Sequence, residues 1–264
     1  MLWGFFVSAF CSLILLGVQR YWHSSVQNNW QVIEQGREKQ VRQIIGYAFH
    51  QRVRGLLDVA VSVKADQRLL DDVALQSAQS ILLAYEHLEA YRTSDGISID
   101  IIDPVGNVVL WAGKNPGNNT VFAQPEPDDT VVTLTRAGLH TYLSVALPLP
   151  EKFLAVVVSE PLEVNFPISN RFVTSSSFTQ ELSSEIGIPI SLETTVPTDT
   201  TNTSLRLPLK DFSSKDIGYV VLSRPAQETE LLLVDTQIEK LLSFVSGIGI
   251  VFFCVTGGTF YREN

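Results

Sequence analysis

The sequence predicts an α+β protein with a long N-terminal helix, a five-stranded antiparallel sheet, a smaller membrane-proximal α+β unit and two transmembrane helices. Three observations carry this. Apolar residues recur at helical spacing from Tyr21 to Val63. Five short β-branched runs follow between Ile97 and Ser159, separated by turn residues. A charge-free apolar segment lies at each end of the chain.

Met1–Val18 has no charged side chain. At about 1.5 Å per residue it covers roughly 27 Å, close to the ~30 Å of a hydrocarbon core. A cleaved signal peptide is the competing reading, but the basic leader and the Ala-x-Ala-like exit are both missing, so an uncleaved anchor is expected. Leu241–Phe260 is the second such run, flanked by Lys240 and Arg262, and is read as the second transmembrane helix. Residues 261–264 are then the start of a cytoplasmic region. Arg20, Arg37 and Lys39 follow the first run and nothing basic precedes it, so a literal positive-inside count would put the middle of the chain in the cytoplasm. The intervening region far exceeds the ~60-residue loops to which that rule applies. An extracytoplasmic middle, anchored in a bacterial inner membrane, is expected instead.

Between the two segments, Val26, Trp30, Ile33, Ile44, Ala48, Leu56, Ala60 and Val63 mark one face of an amphipathic helix, with Arg37, Glu38, Lys39, Arg42, Arg52 and Arg54 on a solvated face. Ala65–Tyr91 is predicted as a second helix, ended by Ser94-Asp95-Gly96. Gly96–Trp111 is the clearest strand–turn–strand. Ile97, Ile99 and Ile101 alternate with Ser98, Asp100 and Ile102 before the turn Asp103-Pro104-Val105-Gly106-Asn107. Strands are further predicted at Thr130–Thr135, His140–Leu147 and Phe153–Ser159. The last is apolar on both faces and so is placed at the centre of the sheet. Lys114–Asp129 reads as a loop.

Domain limits are expected at 19–160 for the long helices and sheet, 161–225 for the smaller unit and 226–240 for a connecting helix. Within the smaller unit the prediction is a helix at Phe178–Ile186 and strands at Ile188–Leu192, Leu205–Leu209 and Ile217–Leu222, with a long loop at Thr194–Thr203. Gln227–Lys240 enters the last apolar run without a breaker.

Composition removes several function classes. Acidic residues outnumber basic ones 28 to 19, for a formal charge of -9, and no Lys/Arg cluster with interleaved aromatics occurs, so nucleic acid is excluded as a partner. Cys11 and Cys254 both lie in the apolar runs, which leaves no thiolate zinc site and no disulfide between them. No Gly-x-Ser-x-Gly elbow accompanies the four scattered histidines, so no hydrolase site is legible and no catalytic residue is assigned. Glu86-His87-x-Glu89 does not place its three groups on one helix face, and His87 is read as a surface histidine, with no metal and no cofactor expected. Asn118-Asn119-Thr120 and Asn202-Thr203-Ser204 are chance matches to the glycosylation sequon.

The order helix, hairpin, loop, three strands resembles Cache and related PAS-like extracytoplasmic sensor domains, through Ile97–Trp111 and Thr130–Glu160. In particular, an apolar strand ends in Asp103, a turn contains Gly106, and a second apolar strand ends in Trp111. Leu205–Asp211 through Ile217-Gly218-Tyr219-Val220-Val221 is similar to the membrane-proximal end of CHASE-type or double-Cache regions, departing at Ser213-Ser214-Lys215, where a glycine is more usual. The resemblance implies the input region of a two-component sensor acting as a homodimer. Its output, a histidine kinase, would continue past Asn264. A bitopic scaffold whose outer domain binds a protein is the alternative. If a small ligand is bound, the face bearing Ser98, Asp100, His140, Tyr142 and Ser144, with Trp111 nearby, is the expected pocket. The competing reading has Tyr142 and Trp111 filling the core and His140 at a strand end. Arg92 or Arg136 would pair with a carboxylate ligand or serve as solvated cations.

Overall fold

The computed structural model describes residues 2–75, 77–103, 105–114, 130–149, 155–164, 177–195, 204–224 and 226–262, without the side chains of 2–9, 246 and 248–262. The first sequon, Asn202 and Thr203 of the second, most of the two expected loops, and Phe153 and Leu154 of the predicted fifth strand lie outside these residues. The chain divides into two compact units, 41–223, and 1–40 with 224–264.

In the 41–223 unit, helix α1 (Leu2–Ala65) contributes Val41, Ile45, Phe49, Val53, Leu56, Ala60 and Val63, all buried and spaced at three and four residues. The expected single helix over 65–91 is two helices, α2 (Gln67–Leu75) and α3 (Ala78–Ala90). Capping explains the break. The Ser77 hydroxyl accepts from the Ser80 N–H at 3.1 Å, and the Ser80 hydroxyl accepts from the Ser77 N–H at 3.0 Å, a reciprocal pair that starts a new helix. Asp66 caps α2, accepting from Leu69 N–H at 3.1 Å and from the Tyr91 hydroxyl at 2.9 Å. Burial opposes the charged form of Asp66, but these hydrogen bonds hold its carboxyl below the ordinary value.

Strands β1 (Ser98–Ile102), β2 (Val108–Ala112), β3 (Val131–Ala137), β4 (His140–Pro148) and β5 (Ala155–Val164) form an antiparallel sheet in the order β2-β1-β5-β4-β3. The strand predicted to be central is central. The expected boundary at Pro161 falls inside β5, which continues to Val164. Pro161 faces Tyr142, the register shifts there, and Thr141 faces Glu163, so the proline occupies a bulge, where a missing N–H is tolerated.

Helix α4 (Phe178–Ile186) and strands β6 (Ile190–Glu193), β7 (Ser204–Lys210) and β8 (Asp216–Ser223) make the second sheet, in the order β6-β8-β7. Phe178, Leu182, Leu205, Leu207, Leu209, Val220 and Leu222 belong to the same hydrophobic cluster as α1 and the first sheet. Gly218 explains the Ile-Gly pair of this strand. A Cβ there would lie 2.6 Å from Leu134 Cδ1 and 3.1 Å from the Glu193 carbonyl, so glycine permits β8 to approach β3.

The β7–β8 turn closes through Asp211, whose carboxylate accepts from Lys215 N–H at 2.8 Å. Where the resembled families favour glycine, Ser214 adopts a left-handed φ of 66°. Ser214→Gly is therefore expected to stabilise the fold by about 0.5–1 kcal/mol, as relieved left-handed strain outweighs the added chain entropy. A midpoint in thermal denaturation below that of the parent would contradict this.

In the other unit, the N-terminal part of α1 pairs with α5 (Gln227–Arg262). Asp235 Oδ1 accepts from Gln19 Nε2 at 2.8 Å and lies 2.7 Å from His23 Nε2, while Arg37 reaches Glu230 at 2.8 Å. Hydrogen bonds from Gln19 and His23 hold the Asp235 carboxyl below its usual range. α1 is not a straight rod. Asn29 has φ −114° and ψ 17°, and its side-chain amide donates to the Ser25 carbonyl at 3.0 Å, taking the acceptor that a helical N–H would use. Among the described residues no helix is long and apolar enough to cross a membrane. The two charge-free runs fall largely on residues whose side chains are not among those described.

Candidate ligand-binding face

Alternation along β1 gives its two faces different tasks. Ile99 and Ile101 enter the cluster shared with α1. Ser98 and Asp100 point to the opposite face, and they too are buried, Asp100 with no exposed surface at all. Burying a carboxylate and a hydroxyl in a sheet is costly, so this face differs in kind from a solvated one.

The registers show which residues share that face. Ser98 on β1 faces Ser159 on β5, which faces Ser144 on β4, which faces Thr133 on β3. This is a row of four hydroxyls across four strands, and the Ser144 and Ser159 oxygens are 2.8 Å apart. One row along, Asp100 faces Trp111 on one side and Val157 on the other, and Val157 faces Ala146. Ile102, Ala146, Ala155 and Val157 form a small apolar cluster beside the row. Trp111 is 54% exposed, so it does not fill the core; it stands at the rim beside Asp100.

Ser98, Asp100 and Ser144 are thus brought together, with Trp111 adjacent. Tyr142 lies on the same face one row beyond Ser144, on the side away from Asp100, and His140 lies a further row out. They stack with ring centroids 5.7 Å apart, and His140 lies six residues along β4 from Ala146, which shares a row with Asp100. At about 3.3 Å per residue that is roughly 20 Å. Burial pushes the Tyr142 phenol pKa up. Arg92 is committed elsewhere. Its Nε donates to the Ile97 carbonyl at 2.9 Å, one terminal nitrogen donates to the Asp95 carbonyl at 3.1 Å, and the other pairs with Glu89, so it ties the α3–β1 turn. Arg136 lies within electrostatic reach of Glu163.

Ser159 and Thr133 complete the row and were not singled out from the sequence, because the run before Ser159 reads as uniformly apolar. Glu163 was missed as well. It is buried at the end of β5, accepts a hydrogen bond from the Thr179 hydroxyl, and so fastens the start of α4 to the sheet. Burial pushes its carboxyl pKa up. Among the described residues no three His, Cys, Asp or Glu side chains are grouped to hold a metal ion.

No protein-family model matches the sequence, and no curated protein matches it. Among solved structures the chain is similar to the periplasmic domain of Vibrio cholerae LuxQ, at 11% identity and a TM-score of 0.47 over 71% of this chain and 99% of that one. It is also similar to the sensor domain of the V. cholerae histidine kinase DctB, at 13% identity and a TM-score of 0.40 over 75% of this chain and 99% of that one. The solved structures it resembles include, in their own descriptions, a periplasmic domain and a sensor domain. At these identities and TM-scores, function has to be argued from the chain's own geometry.

Proposed function

We propose that this chain is the membrane-anchored extracytoplasmic input region of a sensor, held in a bacterial inner membrane by Met1–Val18 and Leu241–Phe260. It passes a stimulus to an output module, a histidine kinase, as a homodimer. The observation that supports the anchor is the helix pair. Contacts between Gln19 or His23 and Asp235 set its register, so residues just before Gln19 and just after Asp235 extend in the same direction, side by side. Along that extension Phe10, Leu13, Ile14 and Leu16 of α1 and Leu241 and Phe244 of α5 are all exposed. In water such a surface is unfavourable; in hydrocarbon it is the expected one. Tyr21 (73% exposed) and Trp22 (53%) follow at the level where an interfacial aromatic belt belongs.

The buried hydroxyl row with Asp100 is the part of the folded unit suited to a small polar ligand, with Trp111 at its rim. α1 and α5 are the covalent routes from that unit to the bilayer, so a ligand that favours one packing of the folded unit over another shifts the population of helix arrangements. The exposed Val32, Leu232 and Leu233 are positions at which a second copy would pair.

Topology tests this reading directly. With Cys11 and Cys254 replaced by serine, a single cysteine at Ser213, in the exposed β7–β8 turn, should react with a membrane-impermeant maleimide in cells whose outer membrane alone is permeabilised. Labelling that appears only after the inner membrane is lysed would overturn the extracytoplasmic placement. Release of the protein by carbonate washing would overturn the anchor.

A further inference from the structure

A cleft of about 620 Å³ lies between α1 and the α3–β1 turn, on the helix-bearing side of the first sheet and away from the hydroxyl row. From its geometry we infer that it is a binding site for a small organic amine, whose ammonium group is taken by Glu160 and Asp58 while its apolar body lies against Leu56 and Ile97. The inference goes beyond the input-region reading and does not rest on it.

The charges set the sign of the ligand. Asp58 and Glu160 line the cleft with one cation, Arg52. That guanidinium is largely engaged elsewhere. One terminal nitrogen is 2.9 Å from Glu181, and the other is 3.6 Å from Glu160, beyond hydrogen-bonding distance. Glu160 is only 14% exposed, and its Oε1 has no hydrogen-bond partner among the described residues. A largely buried carboxylate whose nearest cation is shared with Glu181 is costly, and burial pushes its pKa up although Arg52 opposes the shift. A second positively charged donor, for Oε1, would complete its pairing. An anionic ligand would meet two carboxylates against one arginine that is itself paired with Glu181. A hard metal ion needs several oxygen ligands, and among the described residues no such group is assembled. The apolar part of the lining, Leu56 and Ile97 among it, favours an organic body over a hydrated ion.

Gly55 supplies a place to probe the cleft. It sits inside α1, where glycine costs about 1 kcal/mol relative to alanine, and a Cβ there would meet nothing within 4 Å. Packing within the described residues gives no reason for it. It lies on the cleft wall, one turn before Asp58, so a bulky side chain there is a way to fill part of the cleft.

The test is thermal unfolding of the full chain in nanodiscs with phenethylamine, against 2-phenylethanol and phenylacetate as neutral and anionic isosteres. The amine alone should raise the midpoint saturably, by roughly 5–10 °C at about a hundred times its dissociation constant. Glu160→Gln should weaken its binding by more than about ten-fold. Gly55→Leu, which adds a good helix former in open space and so preserves the fold, should abolish it. Ser144→Ala, in the hydroxyl row on the other face, should leave it unchanged, which separates this cleft from the sheet-face site. No shift with phenethylamine, an equal shift with the alcohol, or full binding by Gly55→Leu would each overturn the inference. If Glu160→Gln does not fold, Gly55→Leu decides alone.

Discussion

Phe49→Ala is expected to lower the unfolding free energy by about 3–5 kcal/mol, the cost of a large buried aromatic lost to a cavity. Phe49 is 1% exposed and is among the largest fully buried side chains of the described residues. Its position leaves little room for relief. Ile45 and Val53 lie one turn away on either side of it on α1 and are themselves buried, and the cluster it belongs to contains strands of both sheets. Neighbours fixed by a helix ladder and two sheets cannot collapse into the space of a ring, so the cavity term adds to the lost transfer free energy. Phe49→Leu, which keeps most of the volume, should cost less than about 1.5 kcal/mol. Urea titration of the solubilised chain checks both, through a lowered midpoint at unchanged slope. A loss under about 1 kcal/mol for the alanine variant would mean that the shared core is not continuous at Phe49.

The strands were legible because each carries a local signal that tertiary contacts reinforce. Ile99 and Ile101 alternate with Ser98 and Asp100, and the doubly apolar run before Ser159 could be stable only in the middle of a sheet, where β5 is found. The misplaced breaks were cases in which a short polar interaction overrides periodicity. Ser77 and Ser80 divide a stretch whose leucines keep helical spacing, and Asn29 bends α1 through its own side chain. Pro161 looked like a terminator, yet a bulge accommodates it and β5 runs on to Val164. For the candidate face, alternation correctly put Ser98, Asp100, Tyr142 and Ser144 on one side, since side-chain parity is a local property. Distance was not legible. It depends on the registers of β4 and β1 against β5, and β1 and β5 are far apart in sequence; those registers place Ser144 one row from Asp100, Tyr142 two rows away and His140 three. The contribution of Ser159 was hidden for the same reason: one hydroxyl after a run of valines acquires meaning only when Ser98 and Ser144 are found opposite it.

Gly113→Ala carries the second large effect, and its cause is backbone rather than core. Gly113 follows β2 with φ +84°, a left-handed conformation that costs alanine about 1–2 kcal/mol. The added Cβ would also lie 2.5 Å from the Ile97 carbonyl oxygen, 3.0 Å from Arg92 Nε and 3.1 Å from Ser98 Cα. None of these can yield cheaply. The Ile97 carbonyl is the acceptor that Arg92 Nε uses at 2.9 Å, and Ser98 begins β1, so moving either disturbs both the α3–β1 turn and the β1–β2 pairing. Strain and clash together should cost about 2–4 kcal/mol. Gly218→Ala is the informative contrast, because its nearest neighbour is the end of the Leu134 side chain, which can change rotamer. It should cost about 1 kcal/mol less than Gly113→Ala. If the strain at Gly113 acts through Arg92, the loss in Gly113→Ala combined with Arg92→Ala will fall short of the sum of the single losses by at least about 0.5 kcal/mol, since the two share one carbonyl. Additive losses would place the damage in the left-handed backbone alone. The same variant should alter the fluorescence of Trp111, two residues away on β2 and opposite Asp100, so a backbone change outside the hydroxyl row would be read at its rim.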